Sequence, residues 1–165
     1  MVEATITLPM FGKAVVPLDV GAEMTPAEAR ALERFLSLGR GQKTGATRHV
    51  HACYQDLRAE IGAETLDGDM PPPATPDDIW RHVTVTALRL VPDRDDAERV
   101  FVSLSANCGW DPEHGLQMVW QDGETLVRVS GEDGHVTNAR AYGDPRLERV
   151  VYHASNSEFE TLRDD

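Results

Sequence analysis

The sequence predicts an α+β fold: an antiparallel β-meander sheet with an N-terminal hairpin and an antiparallel helix pair packed on one face. Three observations carry that prediction. Two stretches, 26–38 and 46–61, repeat apolar residues at three- and four-residue steps, the spacing of a helix with one buried stripe. Residues 83–130 alternate apolar and polar positions between turn signals, the spacing of strands. Helices and strands are segregated along the chain, the order of an α+β fold and not of βαβ winding.

The hairpin comes first. Thr5-Ile6-Thr7-Leu8 alternates, Pro9 to Gly12 interrupts, and Lys13 to Leu18 is β-like again. Thr25-Pro26-Ala27-Glu28 is a helix start: Thr25 caps the free N–H groups, Pro26 suits the first turn and Glu28 completes a capping box. The helix runs to about Leu38 on a stripe of Ala31, Leu32, Phe35, Leu36 and Leu38, and Gly39 and Gly41 end it. A second helix spans Ala46 to Ile61 through Val50, Cys53, Tyr54 and Leu57, with Gly62 as its stop. The short connection makes the two helices antiparallel neighbours.

Residues 63–75, polar and containing Pro71-Pro72-Pro73, read as a loop. Thr75-Pro76-Asp77-Asp78 repeats the cap logic for a turn or two of helix before His82. Strands follow at Val83–Val91, Arg99–Ser105, Leu116–Gln121 and Thr125–Ser130, with turns at Pro92–Asp96, Asp122-Gly123 and Gly131–Gly134. Leu147–His153 reads as a last strand or short helix. One domain is expected over residues 1–155, followed by a frayed acidic tail at 156–165. The expected core holds Leu32, Phe35, Leu36, Val50, Cys53, Leu57, Val85, Leu88, Leu90, Phe101, Leu104, Leu116 and Val119.

The chain has 165 residues, enough for one domain with a sizeable core. No apolar run approaches the roughly 20 residues that cross a bilayer, so no membrane partner is expected. Met1 to Thr5 shows no basic segment leading into an apolar one, so no signal peptide is expected. Two cysteines make no disulfide framework, which suits a reducing cytoplasm. Fourteen arginines against two lysines suit a GC-rich bacterial genome.

Charge is divided unevenly. Residues 1–58 hold six acids and seven bases, whereas residues 59–165 hold 22 acids and nine bases. A surface so acidic repels phosphate backbones, which argues against nucleic acid and for a basic protein partner or for solubility alone.

One connection concentrates chemistry. Asn107-Cys108-Gly109-Trp110-Asp111-Pro112-Glu113-His114-Gly115-Leu116 places a thiol, an indole, two carboxylates and an imidazole between two strands. Cys-x-Trp-Asp-x-Glu-His-Gly-Leu, followed by a turn with Asp-Gly, resembles the signature of an uncharacterised family of bacterial proteins. The resemblance takes in the N-terminal hairpin and the helix pair. It implies an architecture and a bacterial source for a domain of unknown function, and no activity.

The residues themselves allow three readings. Asp111, Glu113 and His114 are donor types that suit Mn, Fe or Zn, with His82, His135 or His153 as a further ligand. Adjacent strand side chains point to opposite faces, which works against one ion taking all three. Cys108 with His114 has the composition of a nucleophile and base, although the surrounding acids disfavour a thiolate. Structurally, Trp110 covers the sheet with its N–H on a carbonyl, Asp111-Pro112 sets a turn, Gly115 supplies a positive φ and Cys108 is a small buried apolar group.

His49 and His51 lie on opposite sides of a helix and cannot chelate together. His49 and Cys53 share a face but fall short of a zinc set. Asp93, Asp95 and Asp96 resemble part of a calcium loop without its glycine and distant glutamate, and read as a turn. No P-loop, dinucleotide fingerprint, His-Glu-x-x-His or Gly-x-Ser-x-Gly is present, so no cofactor is implied. Three functions remain. One is a non-enzymatic interaction module, in the manner of an immunity protein meeting a basic toxin. The others are a metal-binding protein or metal-assisted hydrolase using the 108–116 segment, and a small-ligand-binding domain.

Overall fold

The computed structural model describes residues 4–164. A six-stranded sheet runs in chain order: β1 (Thr5–Leu8), β2 (Ala14–Asp19), β3 (Val83–Pro92), β4 (Val100–Cys108), β5 (Leu116–Gln121) and β6 (Thr125–Ser130). Every neighbouring pair is antiparallel except β2 and β3, which pair in parallel through Leu18 and Leu88. Chain order equals sheet order, as a meander requires, and the hairpin is an edge extension of it.

Helix α1 (Pro26–Ser37) begins as its sequence dictates: Thr25 Oγ1 accepts from Glu28 N–H at 3.1 Å and Glu28 Oε1 from Thr25 N–H at 3.0 Å. It packs on β3 and β4. The β5–β6 turn is seated beneath it, where Asp122 and Gly123 both have positive φ. A Cβ at Gly123 would collide with the Ala31 carbonyl oxygen, so this glycine lets helix and turn touch.

Helix α2 (Arg40–Ile61) starts six residues earlier than the apolar periodicity predicts. Gly41 and Gly45 disfavour a helix by propensity. Tertiary contacts override them: Lys43 lies over the rings of Phe11 and Trp80 at 5.5 and 5.1 Å, and Trp80 Nε1 donates to Thr47 Oγ1 at 2.8 Å. Gln42 reaches back to Gly39 N–H at 3.0 Å. The expected loop at 63–75 also changes. Ala63–Asp69 is a short helix, α3, because Leu66 and Met70 are buried and Arg58 holds Asp67 by two bonds of 2.8 and 2.7 Å.

The sheet has two covered faces. Val100, Val102, Leu104, Ala106, Leu116, Met118 and Trp120 face α1 and α2 and form the main core. Phe101, Val119 and Val127 face the other way, under Val136. Of the expected core, Leu36, Leu57 and Val85 are half-buried and the rest are buried.

Helix α4 (Asn138–Tyr142) lies over the second face, with Arg140 on the Phe101 ring and Asn138 on Arg128, while β7 (Val150–Tyr152) and β8 (Thr161–Leu162) pack against β6 and α2. Residues 156–164 are therefore no frayed tail. β8 pairs with β7, the Asp56 carboxylate accepts from Ser155 N–H (2.8 Å), Asn156 N–H (2.9 Å) and Tyr152 O–H (2.6 Å), and His49 Nδ1 meets Thr161 Oγ1 at 2.7 Å. The anchors sit on α2, about a hundred residues away in sequence, where no local pattern reveals them. Among the described residues no helix is long and apolar enough to cross a membrane.

Candidate interaction surface at one end of the sheet

The 108–116 connection is a hydrogen-bonded turn. Asp111 Oδ1 accepts from His114 N–H at 3.2 Å and meets His114 Nδ1 at 2.9 Å. Gly115 N–H donates to Asp111 O at 3.0 Å. Gly115 has φ 73°, and a Cβ there would lie 2.9 Å from Ala106 O, so a side chain is excluded twice over. Cys108 Sγ donates to Asp111 O at 3.6 Å.

Trp110 is buried, edge-on to Tyr54 at 6.0 Å between centroids. The Trp110 side chain lies beside the Cys53 thiol. Burial pushes the Cys53 and Cys108 thiols up to about 12, so both are protonated at neutral pH and neither is an activated nucleophile.

The structure brings Asp111 and His114 together and leaves Glu113 exposed beside them with no ion pair among the described residues. His82, His135 and His153 do not join them; His153 Nδ1 pairs with Glu160. Among the described residues no group of three or more His, Cys, Asp or Glu is placed to hold a metal ion. His49 lies inside the core at 3% exposure, and burial first, with Arg48 nearby, lowers its pKa to about 4. His51 is half-buried with its ring on Tyr54.

What the turn does assemble is an acidic sheet end. Glu60, from the last turn of α2, lines a small recess of about 110 Å³ with Asp111 and Gly115. Glu132 lies against Gly115 and bonds Ser105 Oγ. With Glu113, these carboxylates gather at one end of the sheet, Glu60 from α2 and the others from the 108–116 and 131–134 turns.

The second face holds groups the sequence did not single out. Arg128 is 1% exposed and bonds the Asp133 carboxylate, Asn138 Oδ1 (2.8 Å) and His135 O (2.9 Å). Buried Gln117 holds His135 O, Asp133 N–H and Gly134 N–H. Asp93, read as a turn residue, is a buried anchor: it accepts from Arg140 and Asp95 N–H, each at 2.9 Å, with Arg99 at 3.7 Å. Burial pushes its carboxyl up, and the bonds from Asp95 and Arg140, with Arg99 nearby, outweigh this and hold it below the usual carboxylate range. Beside this anchor the sheet and the C-terminal segment enclose a cleft.

No curated protein and no solved structure matches the chain. The family described as Domain of unknown function (DUF6985) matches residues 2–136, which take in the hairpin, α1 to α3, the meander and the 108–116 turn, and the chain belongs to it.

Proposed function

We propose that the protein is a non-enzymatic binding module whose acidic sheet end meets a basic protein. The observation that supports this is a difference in charge pairing between the two ends of the sheet. At the β3–β4 and β5–β6 turns the acids face arginines: Glu98 with Arg30, Glu124 with Arg34, and Asp93 with Arg99 and Arg140. At the opposite end Glu60, Glu113 and Glu132 have no ion pair among the described residues, and Asp111 has only His114. Carboxylates gathered without paired cations raise the local negative potential and steer cationic partners. A lysine or arginine arriving there breaks no internal pair.

Affinity capture from extracts of the native organism tests the reading with three baits. These are the wild type, Glu60→Gln/Glu113→Gln/Glu132→Gln, and Asp95→Asn/Asp96→Asn/Glu98→Gln. A basic protein should be retained by the first and third and lost from the second. Retention by the second bait, or recovery of no basic protein, contradicts the proposal.

A further inference from the structure

We propose that the cleft between the second sheet face and the C-terminal segment binds a small organic anion, a flat apolar body carrying a carboxylate or phosphate. The cleft encloses about 580 Å³, within the roughly 300–1,000 Å³ of small-molecule sites. Its floor is Phe101 and Val127 from the sheet, and its cationic groups are Arg99, Arg140 and Arg163. Residues 59–165 hold nine bases against 22 acids, yet three of those nine bases converge here, facing Glu148 as the one acid of the lining.

Two of the three guanidiniums, those of Arg99 and Arg140, are held by carboxylates. Arg140 is fixed by the buried Asp93 carboxylate, and its guanidinium carbon lies 5.5 Å from the Phe101 ring centroid. Asp93 itself is 1% exposed in its side chain and keeps one oxygen, Oδ2, without a hydrogen bond among the described residues. That oxygen faces Arg99 at 3.7 Å and Asp95 Oδ2 lies 3.5 Å from Arg140, so two carboxylates orient Arg99 and Arg140. Arg163 has no ion pair among the described residues. Planar guanidiniums held in place suit bidentate recognition of carboxylate or phosphate. Gln121 and Thr137 line the same space and add hydrogen-bonding groups. The floor lies in the family domain, and the wall residues Thr137, Arg140 and Arg163 lie beyond residue 136. The C-terminal segment thus supplies two of the three cations.

Titration of the full ¹⁵N-labelled chain, read at the arginine Nε–H resonances, tests this. The probes are indole-3-acetate, adenosine 5′-monophosphate, inorganic phosphate and neutral adenosine. At least one of the two aromatic anions should shift Arg99, Arg140 and Arg163 saturably, and which one responds identifies the head group. Phosphate alone and adenosine should bind about ten-fold more weakly or worse, since each lacks half of the recognised chemistry. Arg163→Gln should weaken the responding anion by about ten-fold with an unchanged melting temperature; Arg99→Gln is the second variant. Adenosine binding as tightly, affinity unmoved by both variants, or no saturable shift with any probe up to about 10 mM overturns the proposal.

Discussion

The two faces of one sheet are specified by different physics. On the helix side, β4 and β5 present Val100, Val102, Leu104, Leu116, Met118 and Trp120, an apolar surface whose partners need only be apolar and of the right volume. On the other side the same strands present Phe101 and Val119 beside Ser103 and Gln117, and β6 adds Arg128. There the cover is held by directed bonds: Arg128 to Asp133 and Asn138, and Asn138 Nδ2 to Val150 O and Val151 O at 2.8 and 2.9 Å. The first face tolerates interchange, and the second depends on single groups whose removal orphans buried partners.

The largest effect is expected where the helix-side core meets the 108–116 turn. Trp110→Ala should cost about 3–5 kcal/mol in chemical denaturation, the size of a buried aromatic truncation. An unchanged midpoint would show that the indole is not packed as described. A matched pair of substitutions tests the contrast between faces. Met118→Leu should cost under about 1.5 kcal/mol, whereas Arg128→Met should cost about 2–3 kcal/mol by leaving buried Asn138 Oδ1 without its donor. Equal costs would erase the distinction.

His49 gives a pH-dependent version. Its folded pKa of about 4 lies below the unfolded value of 6.5. Its contribution is therefore fully present above pH 6.5 and is lost as pH falls through about 4. Between pH 7 and 4.5 the wild type should lose about 2 kcal/mol more than His49→Gln; parallel pH curves would contradict this. The smallest effect belongs to His114, whose side chain is 71% exposed. His114→Ala should change stability by less than about 0.5 kcal/mol, and a larger loss would give the turn a tighter role for its imidazole.

Legibility in the sequence follows the same division. The capping box at Thr25 and Glu28, the Asp122-Gly123 turn and the four meander strands are local patterns, and they hold in the structure. The turn-forming roles of Asp111 and Gly115 were equally readable. The start of α2 was not, because Gly41 and Gly45 oppose a helix that Phe11 and Trp80 stabilise from afar. The seating of β7 and β8 on Asp56 and His49, and the burial of Asp93 under Arg140, depend on pairs 47 to 112 residues apart. These polar groups become anchors only once the chain folds back, and no local pattern marks them as such.

The most direct measurement for the acidic sheet end is the association rate of the captured basic partner as a function of ionic strength. Surface charges farther apart than about 10 Å are screened near 0.1 M salt, so steering by Glu60, Glu113 and Glu132 should make the on-rate fall steeply from low to physiological salt. Glu60→Gln/Glu113→Gln/Glu132→Gln should flatten that dependence with the fold intact, and Asp95→Asn/Asp96→Asn/Glu98→Gln should leave it steep. An on-rate independent of salt, or one flattened equally by both sets, would contradict the account.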